Sequence, residues 1–135
     1  MTSRNHLLAL AVLALAGAAH AADPPAALSN SPEADASLYG QSVTLPRQAA
    51  VCAERIADYM PRFQRFYDIW HAQNADSIAK GDQFIHEQAR KGGVDADAGM
   101  VKLAGEDVER LRKTSLELLA HHCQLMLESM APPAN

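Results

Sequence analysis

Hydrophobic residues recur with the period of an α-helix along two long segments of the chain. In the first, from about Pro46 to Arg90, they share one arc of roughly 120°, and polar residues occupy the opposite side. The residues on this arc are Cys52, Ile56, Tyr59, Met60, Phe63, Phe66, Tyr67, Trp70, Ile78, Phe84 and Ile85. Because no run of alternating Val, Ile and Thr is bounded by turn residues, the pattern predicts helices and no strands.

Prolines, glycines and capping residues predict where this first segment begins, breaks and ends. Pro46 suits a first helical position, whereas Pro61 must kink or break the segment because it lacks an N–H and crowds the preceding turn. The stretch 74–81 contains capping residues and a glycine, so it is a second candidate break. Gly92 follows basic residues and is predicted to be the left-handed cap that ends the segment.

The second segment runs from about Asp97 to Met130, with Gly105 as a candidate interruption. Its apolar arc is much wider, about 200°, which is typical of a helix that packs against two or more neighbours. This arc contains Val108, Leu111, Leu116, Leu118, Leu119, Cys123, Leu125, Met126, Leu127 and Met130. Together, the two segments predict an all-α protein: a compact bundle of three to five helices.

The N-terminal residues predict export. A basic residue precedes an apolar run from Leu7 to Ala18, and residues 19–21 have the small-x-small pattern of a signal-peptidase site. An apolar run of about twelve residues is too short to cross a bilayer, which needs about 20. We therefore expect residues 1–21 to be a cleaved signal peptide and the mature protein to be periplasmic or secreted.

Composition divides the remainder of the chain. Residues 22–45 are rich in Pro, Ala and Ser without a sustained period, so we expect a flexible leader that cannot bury enough apolar surface to become ordered. Leu38 and Tyr39 are the exception, because they could dock on the domain. The predicted helical bundle domain then spans 46–131, followed by a tail over 132–135.

The two cysteines, Cys52 and Cys123, constrain the topology. An even count in an exported chain favours one disulfide between them. In a hairpin of two straight helices turning near Gly93, they would lie roughly 60 Å and 44 Å from the turn, whereas a disulfide tolerates about 7 Å between Cα atoms. We therefore expect the first segment to be broken and folded back, with the disulfide joining the first helix to the last.

Aromatic residues and one arginine are the first candidates for a binding site. Phe63 and Trp70 belong to the run RFQRFYDIW, which forms the core unless an open groove makes it an anchor for a ligand or partner. Arg112 enters the second apolar arc together with Ser115, so it needs an acidic partner. Asp58, Asp68 and Asp97 are the candidates for that partner.

His122 is the remaining candidate, and it projects into the second apolar arc. It is predicted to be a core histidine that is hydrogen-bonded to a carbonyl or an acid. The alternatives are an anion or peptide site shared with Arg112, and an axial haem or metal ligand paired with Met60 or His71. We expect no Asp or Glu at zinc-like spacing on the same face as His71 or His86, and no metal or cofactor is predicted.

Charge and motifs narrow the function to binding. The net charge is −4 and the sequence has no basic patch, so we do not expect the protein to bind nucleic acid. The sequence contains no nucleophile elbow, phosphate loop or paired carboxylates that would support catalysis. We expect a non-enzymatic exported protein that binds another protein, as an inhibitor or immunity-type protein does, with homo-oligomerisation left open. A small-ligand or haem-binding bundle and an envelope-stress chaperone are the alternatives.

Overall fold

The structure is a computed structural model that describes residues 31–132, and every regular element within this range is helical. The five helices are α1 (Pro32–Arg55), α2 (Tyr59–Gln73), α3 (Ala75–Gly92), α4 (Ala96–Arg112) and α5 (Leu116–Met130). The prediction of an all-α bundle is therefore confirmed. None of these helices combines the length and hydropathy that a membrane span requires. The predicted signal peptide, the start of the leader and the end of the tail lie outside the described residues.

Helix α1 begins well before the predicted domain boundary. Ser31 caps it by accepting a hydrogen bond from the amide of Ala34 at 3.2 Å, and acidic residues follow in the first turn. The prediction of a flexible leader is wrong for residues 32–45, which are helical. They are ordered by packing: Leu38 and Tyr39 contact the core, as expected, and Leu45 is part of it.

Pro46 lies inside α1 and does not begin it. A proline within a helix leaves the carbonyl four residues earlier without its N–H donor. Here that carbonyl belongs to Ser42, and it accepts a hydrogen bond from the Tyr67 hydroxyl of α2 at 2.9 Å. A tertiary contact thus replaces the missing helical one, which explains why the helix continues through a residue that was predicted to start it.

The two predicted breaks of the first segment are both present. The chain turns at Asp58, which has a left-handed φ of 56°, and α2 then begins so that Pro61 falls in its first turn, where a missing N–H is harmless. The second break is at Asn74, whose side-chain amide donates to the carbonyl of Trp70 at 2.7 Å. These breaks fold α2 and α3 back along α1.

Two other boundaries differ from the prediction. The left-handed cap of α3 is Gly93, with a φ of 68°, and Gly92 is the last helical residue. Gly105 does not interrupt the second segment, because the break lies at 113–115 instead. Ser115 is the N-cap of α5 and accepts a hydrogen bond from the amide of Leu118 at 3.4 Å, so it does not enter an apolar arc.

Helix α1 contacts each of the other four helices. The disulfide between Cys52 and Cys123 joins α1 to α5 with a Cα–Cα distance of 6.0 Å, which confirms the predicted pairing and the folded-back topology. Beside it, the buried hydroxyl of Tyr59 donates to the carbonyl of Cys123 at 2.9 Å. The buried core cluster comprises Leu45, Ala49, Val51, Cys52, Tyr59, Phe63, Trp70, Ile78, Leu119, Cys123, Met126, Leu127 and Met130.

Helix α4 lies along α1 and also contacts α3. Near its start Met100 packs at Gly40, and at its end Arg112 bonds Glu54, so α4 runs in the same direction as α1. Ala104 is the only residue of α4 that is buried. Small side chains, polar contacts and the partly buried Val108 and Leu111 therefore place this helix, whereas Val101 and Leu103 remain exposed.

Candidate binding site

Exposed apolar side chains are concentrated on α4, α5 and the turn before α4. Within residues 31–132, the large hydrophobic residues that are exposed are Ile69, Val94, Val101, Leu103, Leu116, Leu118 and Leu125. Only Ile69 lies outside the stretch 94–125. Because groups of exposed apolar residues mark interaction surfaces more often than scattered ones do, this stretch is where a binding site is to be sought.

One side of α5 carries a mixed stripe of such residues. Leu118, His122 and Leu125 follow each other at spacings of four and three, so they share a side of the helix. Leu118 is 62% exposed and Leu125 49%, whereas His122 is half-buried between them. We call these three residues the α5 stripe.

A cleft opens beside the α5 stripe where three helices meet. It has a volume of about 230 Å³ and is lined by Gln48 of α1, by Asp107, Arg110 and Leu111 of α4, and by His122 of α5. Asp107 and Leu111 share a side of α4 because they are four residues apart. The breaks at the ends of α1 and α4 turn the chain so that these residues converge.

The imidazole of His122 has an unused hydrogen-bonding atom. Its Nε2 is buried and has no hydrogen-bond partner among the residues that the structure describes. The prediction of a hydrogen-bonded core histidine is therefore wrong in both respects, since the residue is half-buried and this nitrogen is unsatisfied. A buried polar atom without a partner costs about 1–3 kcal/mol, so a movement of the cleft wall that lets an incoming group bond Nε2 would be favoured.

The cleft offers both hydrogen-bond donors and acceptors. Arg110 Nη1 lies 3.0 Å from Asp107 Oδ1, and Arg110 is far more exposed than Asp107. Gln48 adds an amide and His122 an imidazole nitrogen, while Leu111 supplies an apolar wall. A polar side chain that carries a donor and an acceptor would find partners for both.

Arg112 lies outside this cleft. Its guanidinium bonds Glu54 at 2.9 Å and Glu109 at 3.2 Å, so the three predicted partners, all aspartates, are wrong. The hydrogen bond from Arg112 lowers the pKa of Glu54, and the same bond raises the pKa of Arg112. Arg112 therefore forms an exposed ion pair that joins the ends of α1 and α4. Ser115 does not join it in a site, because its hydroxyl caps α5.

Phe63 and Trp70 are core residues and do not line an open surface. Phe63 is 2% exposed and Trp70 8%. Tyr67 stacks on Phe63 with ring centroids 5.2 Å apart, and its ring is tilted against that of Trp70 with centroids 5.8 Å apart. Of the two interpretations of the aromatic run, the structure favours the core.

The residues proposed to bind haem together are not brought together at the cleft. Met60 packs against the core, and His71 is exposed beside Tyr67, with ring centroids 5.5 Å apart. Neither lines the cleft that contains His122. Over residues 31–132, no group of three His, Cys, Asp or Glu side chains is arranged to hold a metal ion.

Sequence reasoning found His122 but missed Gln48, Asp107 and Arg110. The available signal was the capping serine at position 115: a break there separates α4 from α5 and lets a residue of each face the other. No family model, curated protein or solved structure matches the chain.

Proposed function

We propose that this chain is an exported helical protein that binds another protein through the α5 stripe and the adjoining cleft. The observation that carries the proposal is the buried, unpartnered Nε2 of His122 in a cleft with exposed leucines on either side of it. Export is supported by the signal-like residues 1–21 and by the disulfide, which persists in oxidising compartments. An inhibitor or an immunity-type protein fits this description.

The size of the cleft favours a protein partner over a small molecule. Pockets that enclose small ligands usually measure about 300–1,000 Å³, and this cleft measures about 230 Å³. It accommodates a single polar side chain. Leu118 and Leu125 lie outside it and would be covered by apolar residues next to that anchor.

The residues that line the cleft support binding and not catalysis. An imidazole acts as a general base in nucleophilic catalysis when a serine, threonine or cysteine lies within hydrogen-bond reach. Gln48, Asp107, Arg110 and Leu111 supply no such nucleophile to His122. The partner we propose therefore presents a polar side chain between apolar ones, and it is bound without being changed.

Site-specific photo-crosslinking in the periplasm tests the surface. We expect Leu125→p-benzoylphenylalanine to give one dominant adduct with a second protein. The matched control is Ile69→p-benzoylphenylalanine, an exposed apolar position on α2, which should not give that adduct. The same adduct from both positions would overturn the assignment of the surface.

The role of the imidazole is tested with the purified partner. We expect His122→Ala to weaken binding about tenfold, the loss of one well-placed hydrogen bond, while His71→Ala leaves the affinity unchanged. Unchanged affinity of a folded His122→Ala protein would contradict the proposal.

A chaperone function is the second candidate, favoured by the exposed apolar residues of α4. Val101 is 55% exposed and Leu103 57%, and Ala104 is the one fully buried residue of α4. Such a surface could hold unfolded clients. If it does, the protein suppresses aggregation of a denatured client, and Val101→Ser with Leu103→Ser abolishes this effect while His122→Ala does not.

A further inference from the structure

His86 of α3 contacts two carboxylates, one through each ring nitrogen. Its Nδ1 lies 2.9 Å from Asp82 Oδ1 and 3.0 Å from the Asp82 carbonyl oxygen. Its Nε2 lies 3.2 Å from Asp97 Oδ1, in the first turn of α4. Asp82 is four residues before His86 on the same helix, so the expectation that this histidine has no acid on its face is wrong.

The third helix at this junction contributes an aromatic residue. Tyr39 of α1 lies with its ring centroid 6.5 Å from that of His86. Burial, followed by the nearby charge of Asp82, raises the pKa of Tyr39, so its hydroxyl stays neutral when the imidazole titrates. The groups that face His86 are thus Asp82 from α3, Asp97 from α4 and a neutral phenol from α1.

The geometry fits the doubly protonated ring. Every atom in contact with a nitrogen of His86 is an acceptor, and only imidazolium has an N–H on both nitrogens. The backbone hydrogen bond to Asp82, and then the charges of Asp82 and Asp97, raise the pKa of His86. The contribution of this contact to stability is therefore present at acidic pH and lost as pH rises through that raised pKa.

Loss of the proton breaks one contact in particular. In the neutral ring we expect the single proton to remain on Nδ1, because two acceptors of Asp82 serve that nitrogen and one serves Nε2. The lone pair of Nε2 then faces the carboxylate of Asp97, which it repels. The link within α3 survives, and the link between α3 and α4 is the one that is lost.

We propose that His86 is a pH-sensitive latch that holds the first turn of α4 against α3 when protonated and releases it when neutral. Release would widen an apolar groove of about 380 Å³ at the same junction, lined by residues that include Ile85, Val94, Met100 and Leu103. The first turn of α4 has no buried residue, and Ala104, Val108 and Leu111 pack inward only further along the helix, so the latch acts on a weakly held end. The latch acts at the start of α4, whereas Asp107, Arg110 and Leu111 line the cleft at His122 from the other end of the helix.

The experiment is an NMR titration of the purified protein combined with amide hydrogen exchange. We expect the measured pKa of His86 to be higher in the wild type than in Asp97→Asn. Asp76→Asn, which removes a first-turn acid from α3 instead, should leave the pKa of His86 as it is in the wild type. An equal pKa of His86 in the wild type and in Asp97→Asn would overturn the proposal.

Amide protection reports the movement itself. After correction for intrinsic exchange rates, protection of the amides of Met100 and Val101 should fall about threefold as the pH rises from acidic to alkaline. In His86→Gln it should not change with pH. Protection that is independent of pH in the wild type, or equally dependent on pH in His86→Gln, would refute the latch.

Discussion

Helices α4 and α5 are similar in length, but they are attached to the molecule in different ways. Of its 15 residues α5 buries Leu119, Cys123, Met126, Leu127 and Met130, and the disulfide fixes it to α1. Of its 17 residues α4 buries only Ala104. Its ends are held by polar contacts to solvent-exposed groups: Asp97 to His86 at the start and Arg112 to Glu54 at the finish.

This difference determines which part of the molecule sets its stability and which part can move. Apolar burial and a disulfide resist opening, whereas exposed ion pairs contribute little and depend on pH and salt. The α5 side therefore sets the global free energy of unfolding, and α4 is the element that opens locally. The cleft at His122 lies where the two meet, so a partner bound there would contact one fixed helix and one that can adjust.

Removal of the disulfide tests this comparison of α4 with α5, and we expect it to have the largest effect on the free energy of unfolding. We expect the double variant Cys52→Ser, Cys123→Ser to lose about 4 kcal/mol of unfolding free energy, because the bond closes a loop with a sequence separation of 71. Urea denaturation followed by the fluorescence of Trp70, the single tryptophan, measures this loss. Exchange of α4 amides should change far less than that of α5 amides, and equal acceleration in both would contradict the comparison.

The same substitution at two glycines should have opposite effects. A Cβ at Gly81 would collide with the carbonyl of Asp35 and lie 2.8 Å from the amide nitrogen of Ala36, so Gly81→Ala should cost about 3 kcal/mol. A Cβ at Gly105 of α4 would meet open space, so Gly105→Ala should stabilise by about 0.7 kcal/mol through helix propensity. Urea denaturation measures both, and a loss at Gly105 would show that α4 is more closely packed than its burial indicates.

Removing one tyrosine hydroxyl beside α5 and one beside α4 compares what each contributes to stability. Tyr59→Phe leaves the Cys123 carbonyl without its buried donor and should cost about 1 kcal/mol. Burial raises the pKa of Tyr59 to about 12, so this loss should be constant across neutral pH. Tyr39→Phe, beside α4, should change the free energy of unfolding by less than about 0.5 kcal/mol. Thermal or urea unfolding that ranked them in the reverse order would refute the comparison.

The sequence predicted the region around the disulfide better than it predicted the N-terminal half of α1 and the contacts of α4. The aromatic arc, the disulfide and the break near Pro61 follow from periodicity, cysteine count and backbone chemistry, and each is present. Helix α1 before Pro46 was missed because its small residues form no strong stripe, and its order comes from packing on other helices.

The contacts of α4 could not be predicted for a related reason. Polar partners between helices depend on the angle at which a break turns the chain, and a helical wheel does not contain that angle. Arg112 was therefore paired with the wrong acids, and the residues around His122 were not foreseen. The Asp82 and His86 pair was the exception, because a spacing of four within one helix is visible in the sequence.

The smallest effect we expect is a loosening of the C-terminal end of α4 in acid. The pKa of Glu54 is lowered in the folded protein, chiefly by the hydrogen bond from Arg112. Its contribution to stability is therefore fully present above the ordinary glutamate pKa of 4.5, and it is lost as pH falls through the lowered value. This is the opposite direction from His86, so α4 should be held best between the two transitions.

Amide exchange near Leu111 measures this acid effect, after correction for intrinsic rates. Protection should fall as the pH drops below about 4.5 in the wild type, and it should be low and independent of this transition in Glu54→Gln. Glu87→Gln is the matched control, because the pKa of Glu87 is also lowered, but by Lys91 within α3. If Glu87→Gln abolishes the acid transition as completely as Glu54→Gln does, the transition reflects net charge, and the polar contact at the end of α4 is not what holds the helix in place.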